Sequence, residues 1–350
     1  MNRIPFDPNG VSRPNGCFFG FPDSGEEAKI VFLPVPWDVT TSYGIGTADG
    51  PQAILEASLQ VDLYDFDLPD AWQIPRGTIP IDARIRDRSA TLQHQARSIV
   101  AHLEEGGEVS DLAIAAQLQI VNQASSVLND WVYERARSLL EENKLVGLVG
   151  GDHSTPLGLM KALAQRHGEY GILQIDAHAD LRQAFEGFTH SHASIMYNAL
   201  QLSEMTHLVQ VGIRDACEEE RQLAISDSRV VMFDDWQLKA NGYQGISWHQ
   251  QCEAIVAALP EKVYISFDID GLDPRFCPHT GTPVPGGLDF NQGIYLIQIL
   301  ARSGKTIIGF DLCEVAPGMN DEWDGNVGAR LLYKLSNLMY LSGRSRSNKK

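Results

Sequence analysis

Four short apolar runs in the sequence each end in polar side chains of one chemical kind. Residues 145–149 lead into Gly150-Gly-Asp-His-Ser154, and residues 170–175 lead into Asp176-Ala-His-Ala-Asp180. Residues 262–267 lead into Asp268-Ile-Asp-Gly-Leu-Asp-Pro274, and residues 306–310 into Asp311-Leu-Cys-Glu-Val315. Alternate residues of an extended segment point the same way, so Asp-x-His-x-Asp and Asp268-x-Asp270 each present their polar groups together. His153, Asp176, His178, Asp180, Asp268 and Asp270 make two imidazoles and four carboxylates. That is too much negative charge for one divalent ion and a poor match to a closed thiolate zinc site. Two ions fit better. If Asp176 and Asp268 bridge, each ion receives a histidine and several carboxylate oxygens, with room for a shared water or hydroxide. Water held between two cations ionises near neutral pH and becomes a nucleophile, which is the chemistry of hydrolysis. A histidine after Gly-Gly is by itself an ordinary turn residue, but coincidence is a poor account of clusters at three separate strand ends. Gly147–Gly151 lacks both the Gly-x-Gly-x-x-Gly spacing and a following Lys-Ser/Thr, so it makes a weak nucleotide loop.

Segments so far apart in sequence need a scaffold that gathers them. The apolar runs at 29–36, 145–149, 170–175, 208–211, 230–233, 262–267 and 306–310 read as buried strands, most of them separated by helical tracts. Strands apolar on both faces, alternating with helices, argue for a single α/β domain whose mainly parallel sheet is covered on both sides. In such a sheet, ligands bind outside the carboxyl ends of the strands, where the four clusters converge. The loop Trp37–Gly50 is small, hydroxylated and aromatic, and is a candidate substrate-contact segment before a helix opened by Gly50-Pro51. Leu92, Ala96, Ile99, Val100 and Leu103 predict a helix stopped by Gly106-Gly107. Ser110-Asp111 then caps a second helical tract through Leu139, as one helix or two. Residues 1–28 read as an irregular Pro/Gly/Asn-rich arm, 29–340 as the catalytic domain, and 341–350 as a basic, flexible tail.

The 350 residues carry 28 basic and 45 acidic side chains, a formal charge of −17 with a pI near 4.9. Nucleic acid and anionic membranes are therefore poor partners, since both need a concentrated positive face. Five unpaired-looking cysteines and the lack of an apolar leader point to reduced thiols and a cytoplasmic location.

Gly150-Gly-Asp-His-Ser154, Asp176-Ala-His-Ala-Asp180, the segments 266–274 and 281–288, and Glu314-Val-Ala-Pro317 together resemble the ureohydrolase family of arginases, agmatinases, guanidinobutyrases and guanidine hydrolases. The resemblance covers roughly residues 30–340 and implies a three-layer α/β/α fold, a binuclear Mn2+ or Ni2+ centre, and hydroxide attack on a guanidinium carbon to release urea. It implies that His153, Asp176, Asp180 and Asp268 hold one ion while Asp176, His178, Asp268 and Asp270 hold the other. Asp180, His192 and Glu314 are then the candidate catalytic residues, with Glu314 binding the guanidinium, Thr282 lying near the substrate and His192 shuttling a proton to the leaving amine. A planar cation is independently well served by a bidentate carboxylate. Ala193 stands where the family has glycine, and His190 competes for the shuttle role.

The segment 181–189 contains two phenylalanines and lacks the Ser/Asn pattern with which arginases grip an amino acid, which ranks arginine low. Residues 320–334, the long arm and the Trp37–Tyr43 segment are similar to an agmatinase-like bacterial branch that includes enzymes acting on free guanidine. Trp323 and residues 37–47 are expected to narrow the pocket around Glu314, favouring guanidine, an N-alkylguanidine or a biguanide. The alternatives are an agmatinase or guanidinobutyrase, or a non-catalytic subunit of a mixed oligomer. The resemblance also implies a trimer or hexamer and leaves room for a metal-loading chaperone. The helices at 89–143 are the candidate surface for burial between subunits.

Overall fold

The computed structural model describes residues 6–347. Eight strands run β1 Ile30–Val35, β2 Arg76–Thr78, β3 Leu145–Gly150, β4 Tyr170–Ile175, β5 Met205–Val211, β6 Val230–Phe233, β7 Lys262–Asp268 and β8 Thr306–Cys313. Ten helices accompany them: α1 Gly50–Ser58, α2 Ala83–Glu104, α3 Leu112–Glu141, α4 Leu157–His167, α5 Ile195–Leu200, α6 Glu218–Ser226, α7 Asp235–Tyr243, α8 Trp248–Ala257, α9 Phe290–Arg302 and α10 Trp323–Ser347. All neighbouring strands pair in parallel, in the order β2-β1-β3-β8-β7-β4-β5-β6.

Alternation along each strand sorts its side chains into two cores. On β7, Val263, Ile265 and Phe267 pack with Ile54 of α1, Ile255 of α8, Leu296 of α9 and Leu335 of α10. Tyr264 of the same strand packs with Leu128 of α3, Leu163 of α4 and Ile195 of α5. The result is three layers, with α1 and α7–α10 on one face and α2–α6 on the other. Each fully buried Val, Leu or Ile contributes on the order of 2 kcal/mol relative to exposure, which leaves little tolerance for polar groups inside strands. Gln174, Ser266 and Asp311 are nevertheless wholly buried there.

The structure sharpens some expectations and corrects others. The three-residue edge strand β2 (Arg-Gly-Thr) has no apolar alternation and was not legible, since it exists by pairing with β1. The second helical tract is one continuous helix, α3, beginning after Asp111. Asp111 does not cap it with its side chain: the carboxylate is spent on His102 Nε2 at 2.7 Å and the Glu108 amide at 3.2 Å. The arm is irregular, but Phe18, Phe19 and Phe21 are buried against Phe32 and Tyr333. The basic stretch from 341 continues α10 as far as Ser347, and 348–350 lie outside the described residues. All five cysteines are free thiols. Among the described residues no helix is long and apolar enough to cross a membrane.

Candidate metal centre

The strand order makes β3, β8, β7 and β4 consecutive neighbours, so the four polar clusters sit side by side at the sheet's carboxyl edge. Chain order reverses here, between strands β3 and β4, which is where open α/β sheets form a crevice. The backbone closes in around it. An added Cβ on Gly151 would lie 1.9 Å from the Trp37 carbonyl, and one on Gly271 would lie 2.6 Å from the Asp176 amide, so only glycine fits either place. Asp180 and Glu314 hold left-handed φ values of 54° and 63°, strain that a non-glycine residue keeps only where its surroundings enforce it.

His153 is buried, and its Nδ1 lies 3.0 Å from Asp176 Oδ2, 3.0 Å from Asp180 Oδ2 and 3.3 Å from Asp268 Oδ2. His178 Nδ1 lies 3.0 Å from Asp270 Oδ2 and 3.6 Å from Asp176 Oδ1. Within this cluster two groups offer ligand atoms within 4.8 Å of one another, His153–Asp176–Asp268 and Asp176–His178–Asp270, with Asp176 common to both. Other hydrogen bonds aim the carboxylates. Asp176 accepts from the His178 amide at 2.7 Å and Gln174 Nε2 at 2.7 Å, Asp268 from the Asp270 amide at 2.8 Å, and Asp270 from the Ala177 amide at 3.0 Å.

This cluster needs positive charge. Burial, with Asp270 and Asp176 beside it, pushes the Asp268 carboxyl well above its ordinary range, and burial with Asp176 lifts Asp180 to about 7. Burial opposes a charged imidazole at His178, yet Asp270 and Asp176 hold it up to about 12. A proton on His178 is thereby favoured. His153 Nδ1 points between its three carboxylate neighbours and makes a hydrogen bond with none of them, the posture of a nitrogen aimed at an ion. Divalent ions displace such protons on binding, and the oxygen-and-imidazole donor set suits Mn2+, Ni2+, Co2+ or Zn2+.

Glu314, buried at the end of β8, accepts the His153 amide on Oε1 at 2.8 Å. Burial, together with Asp152, drives its carboxyl well above the ordinary value. Its other oxygen faces Gly281, where an added Cβ would come within 3.3 Å of Oε2. Residues 42–44 cross this region as a strap: Ser42 Oγ lies 3.4 Å from His192 Nε2 at one end, and the Gly44 amide donates to the Gly281 carbonyl at 2.9 Å at the other. Burial, then the proximity of His178, lowers His192 to about 4. The charged neighbours of His190 are instead Lys161 and Asp130. Thr282 Oγ1 meets Asp270 Oδ2 at 3.4 Å. Trp323 is 46% exposed, with its indole donating to the Arg275 carbonyl at 2.9 Å, while Trp37 is a buried core residue. The sequence reading does not single out Ser42, Gln174 or Ser266. Gln174 and Ser266 were detectable as polar residues inside otherwise apolar strands.

The chain is similar in sequence and in fold to known proteins. A model of the arginase family matches residues 28–336. The chain is 32% identical over 316 residues to the N(1)-aminopropylagmatine ureohydrolase of Synechocystis sp., covering 88% of each chain. Among solved structures it is similar to the proclavaminate amidino hydrolase of Streptomyces clavuligerus, with a TM-score of 0.71 at 22% identity, covering 95% of this chain and 100% of that one. It is also similar to the formiminoglutamase of Trypanosoma cruzi with Mn2+, with a TM-score of 0.69 at 14% identity, covering 93% and 97%.

Proposed function

The chain belongs to the arginase family of metal-dependent amidinohydrolases, and we propose that it hydrolyses a small guanidino compound (free guanidine, an N-alkylguanidine or a biguanide) to urea and ammonia or an amine. The observation that carries the substrate reading is the strap. Ser42 and Gly44 are tied to His192 and to Gly281 beside Glu314, so the space next to the guanidinium carboxylate is bounded by backbone that cannot retreat without breaking both contacts. Trp323 belongs to the outer rim in this reading, and Tyr43, at the crest of the strap, is 83% exposed.

His153, Asp176, Asp180 and Asp268 would hold one divalent ion, and Asp176, His178, Asp268 and Asp270 the other, with Mn2+ and Ni2+ the leading candidates. When bound, such a pair supplies Lewis acidity and water that ionises near neutral pH. Glu314 binds the guanidinium through paired N–H···O contacts and fixes its plane, with Thr282 alongside, so that only one face of the carbon is open to attack. As the C–N bond breaks, His192 delivers a proton through Nε2 to the departing nitrogen, since an amine leaves only when protonated. Burial keeps the imidazole neutral near pH 7, so it can accept the proton released as water attacks the guanidinium carbon and pass that same proton to the leaving nitrogen, ending the cycle neutral.

A second reading, an agmatinase- or guanidinobutyrase-type enzyme, is favoured by the Synechocystis relative, whose name describes a guanidine with an amino-bearing tail. Urea release from guanidine, methylated guanidines, metformin, agmatine, guanidinobutyrate and arginine, measured with Mn2+- and Ni2+-loaded protein, separates the two. A strong preference for agmatine sinks the small-substrate reading. Assembly as a homo-oligomer through α3 is supported by exposed Leu112, Ile120 and Val127 on that helix.

A further inference from the structure

Behind His153, on the side away from the carboxylate cluster, runs a buried chain of hydrogen bonds that includes none of the other proposed metal ligands. His153 Nε2 lies 2.9 Å from Ser266 Oγ, Ser266 Oγ donates to Asp311 Oδ2 at 2.8 Å, and Tyr264 Oη donates to the same oxygen at 2.6 Å. His153, Ser266, Asp311 and Tyr264 are all fully or almost fully buried, so water does not compete. Asp311 Oδ1 is without a hydrogen-bond partner and lies 3.7 Å from His153 Nε2. A serine hydroxyl has one proton. With that proton given to Asp311, Ser266 can only accept from His153, which requires the hydrogen on Nε2. Nδ1 is then left with a free lone pair, and Nδ1 is the nitrogen that faces Asp176, Asp180 and Asp268.

We propose that Asp311 is a positioning residue for the His153 half of the metal centre, acting through Ser266 to fix the imidazole's tautomer and ring angle so that Nδ1 is presented to the ion. The inference rests on the two-metal reading given above. Ligand histidines whose second nitrogen is anchored in this way typically lose 10–100-fold in metal affinity when the anchor is removed. His178 has no equivalent: its ring is partly exposed, and both its ion-pair contacts are made through Nδ1. The effect of Asp311 is therefore confined to one of the two ions.

The test uses the full chain as wild type, Asp311→Asn, Ser266→Ala and Tyr264→Phe, each loaded with Co2+. Metal content, chelator competition and the d–d absorption spectrum are recorded alongside thermal unfolding of the metal-free protein. The expected result is a loss of about 10–100-fold in affinity for one ion in Asp311→Asn and Ser266→Ala. One cobalt spectral component should shift while the other stays, and Tyr264→Phe, which keeps the Ser266 link, should lose less. Wild-type affinity and spectrum in both Asp311→Asn and Ser266→Ala overturn the proposal, as does a drop in metal-free stability without a change in affinity. Fewer than two ions in the wild type would instead remove the two-metal reading itself, so the two failures are distinguishable.

Discussion

At the scale of single residues the proposed function separates metal holding from substrate holding, and two substitutions should split them. Asp268 lies 3.3 Å from His153 through one oxygen and accepts the Asp270 amide with the other, so it is tied to both halves of the cluster. Asp268→Asn removes the charge proposed to bridge the two ions while preserving shape. Metal analysis should find fewer than two ions, with turnover down at least about 100-fold. Glu314 carries no metal in this scheme. Glu314→Gln keeps the acceptor oxygen for the His153 amide but loses the charge that faces the guanidinium, so metal content should stay at two while kcat/KM falls by about 10²–10³-fold. A Glu314→Gln protein that lost metal would contradict the division of labour. Metal content and kinetics measured on the same preparations decide both cases.

At the scale of elements, the strap 42–44 is the part most directly open to test. An added Cβ at Gly44 would stand 2.7 Å from the Gly281 carbonyl, a backbone atom that cannot swing aside as a side chain could. Gly44→Ala should therefore push the strap off Gly281, weaken the Ser42–His192 contact and loosen the space beside Glu314. The expected outcome is a KM for the preferred small substrate raised several-fold, with a relative gain for longer guanidines and little change in melting temperature. Unchanged selectivity across the substrate panel would remove the strap from the specificity argument. Gly44 also illustrates what the sequence could and could not reveal. The strands carrying the ligands were legible because each is apolar on both faces, and the ligand spacing was legible because Asp176, His178 and Asp180 alternate on one extended segment. The pairing of Gly44 with Gly281 was not, since no periodicity joins residues more than two hundred positions apart. Neither was β2, whose Arg76-Gly-Thr78 gains strand character only from its neighbour. The Asp311–Ser266–His153 chain falls between these cases: its polar residues stand out inside apolar strands, but the direction in which each points depends on the register of β7 against β8.

At the scale of the whole molecule the acidity acquires a purpose at the site. Two divalent ions would take the formal charge only from −17 to −13, so a loaded protein still presents a strongly negative field to a cationic guanidinium. Asp176, Asp268, Asp270, Asp311 and Glu314 lie at one edge of the sheet, where low-dielectric walls focus that field toward the crevice. Salt weakens attraction over distance more than it weakens contacts between buried groups, because the screening length shrinks from about 30 Å at 0.01 M to about 8 Å at 0.15 M ionic strength. The step from free substrate to bound substrate should therefore be salt-sensitive, while chemistry inside the crevice should not. Raising ionic strength over that range with an inert salt is expected to lower kcat/KM for a guanidinium substrate by a factor of about 2–10 while leaving kcat nearly constant. Steady-state urea production at fixed metal loading measures both parameters. A kcat that fell in parallel would mean that salt was stripping metal or distorting the site, and a flat kcat/KM would mean that the surface charge plays no part in gathering substrate.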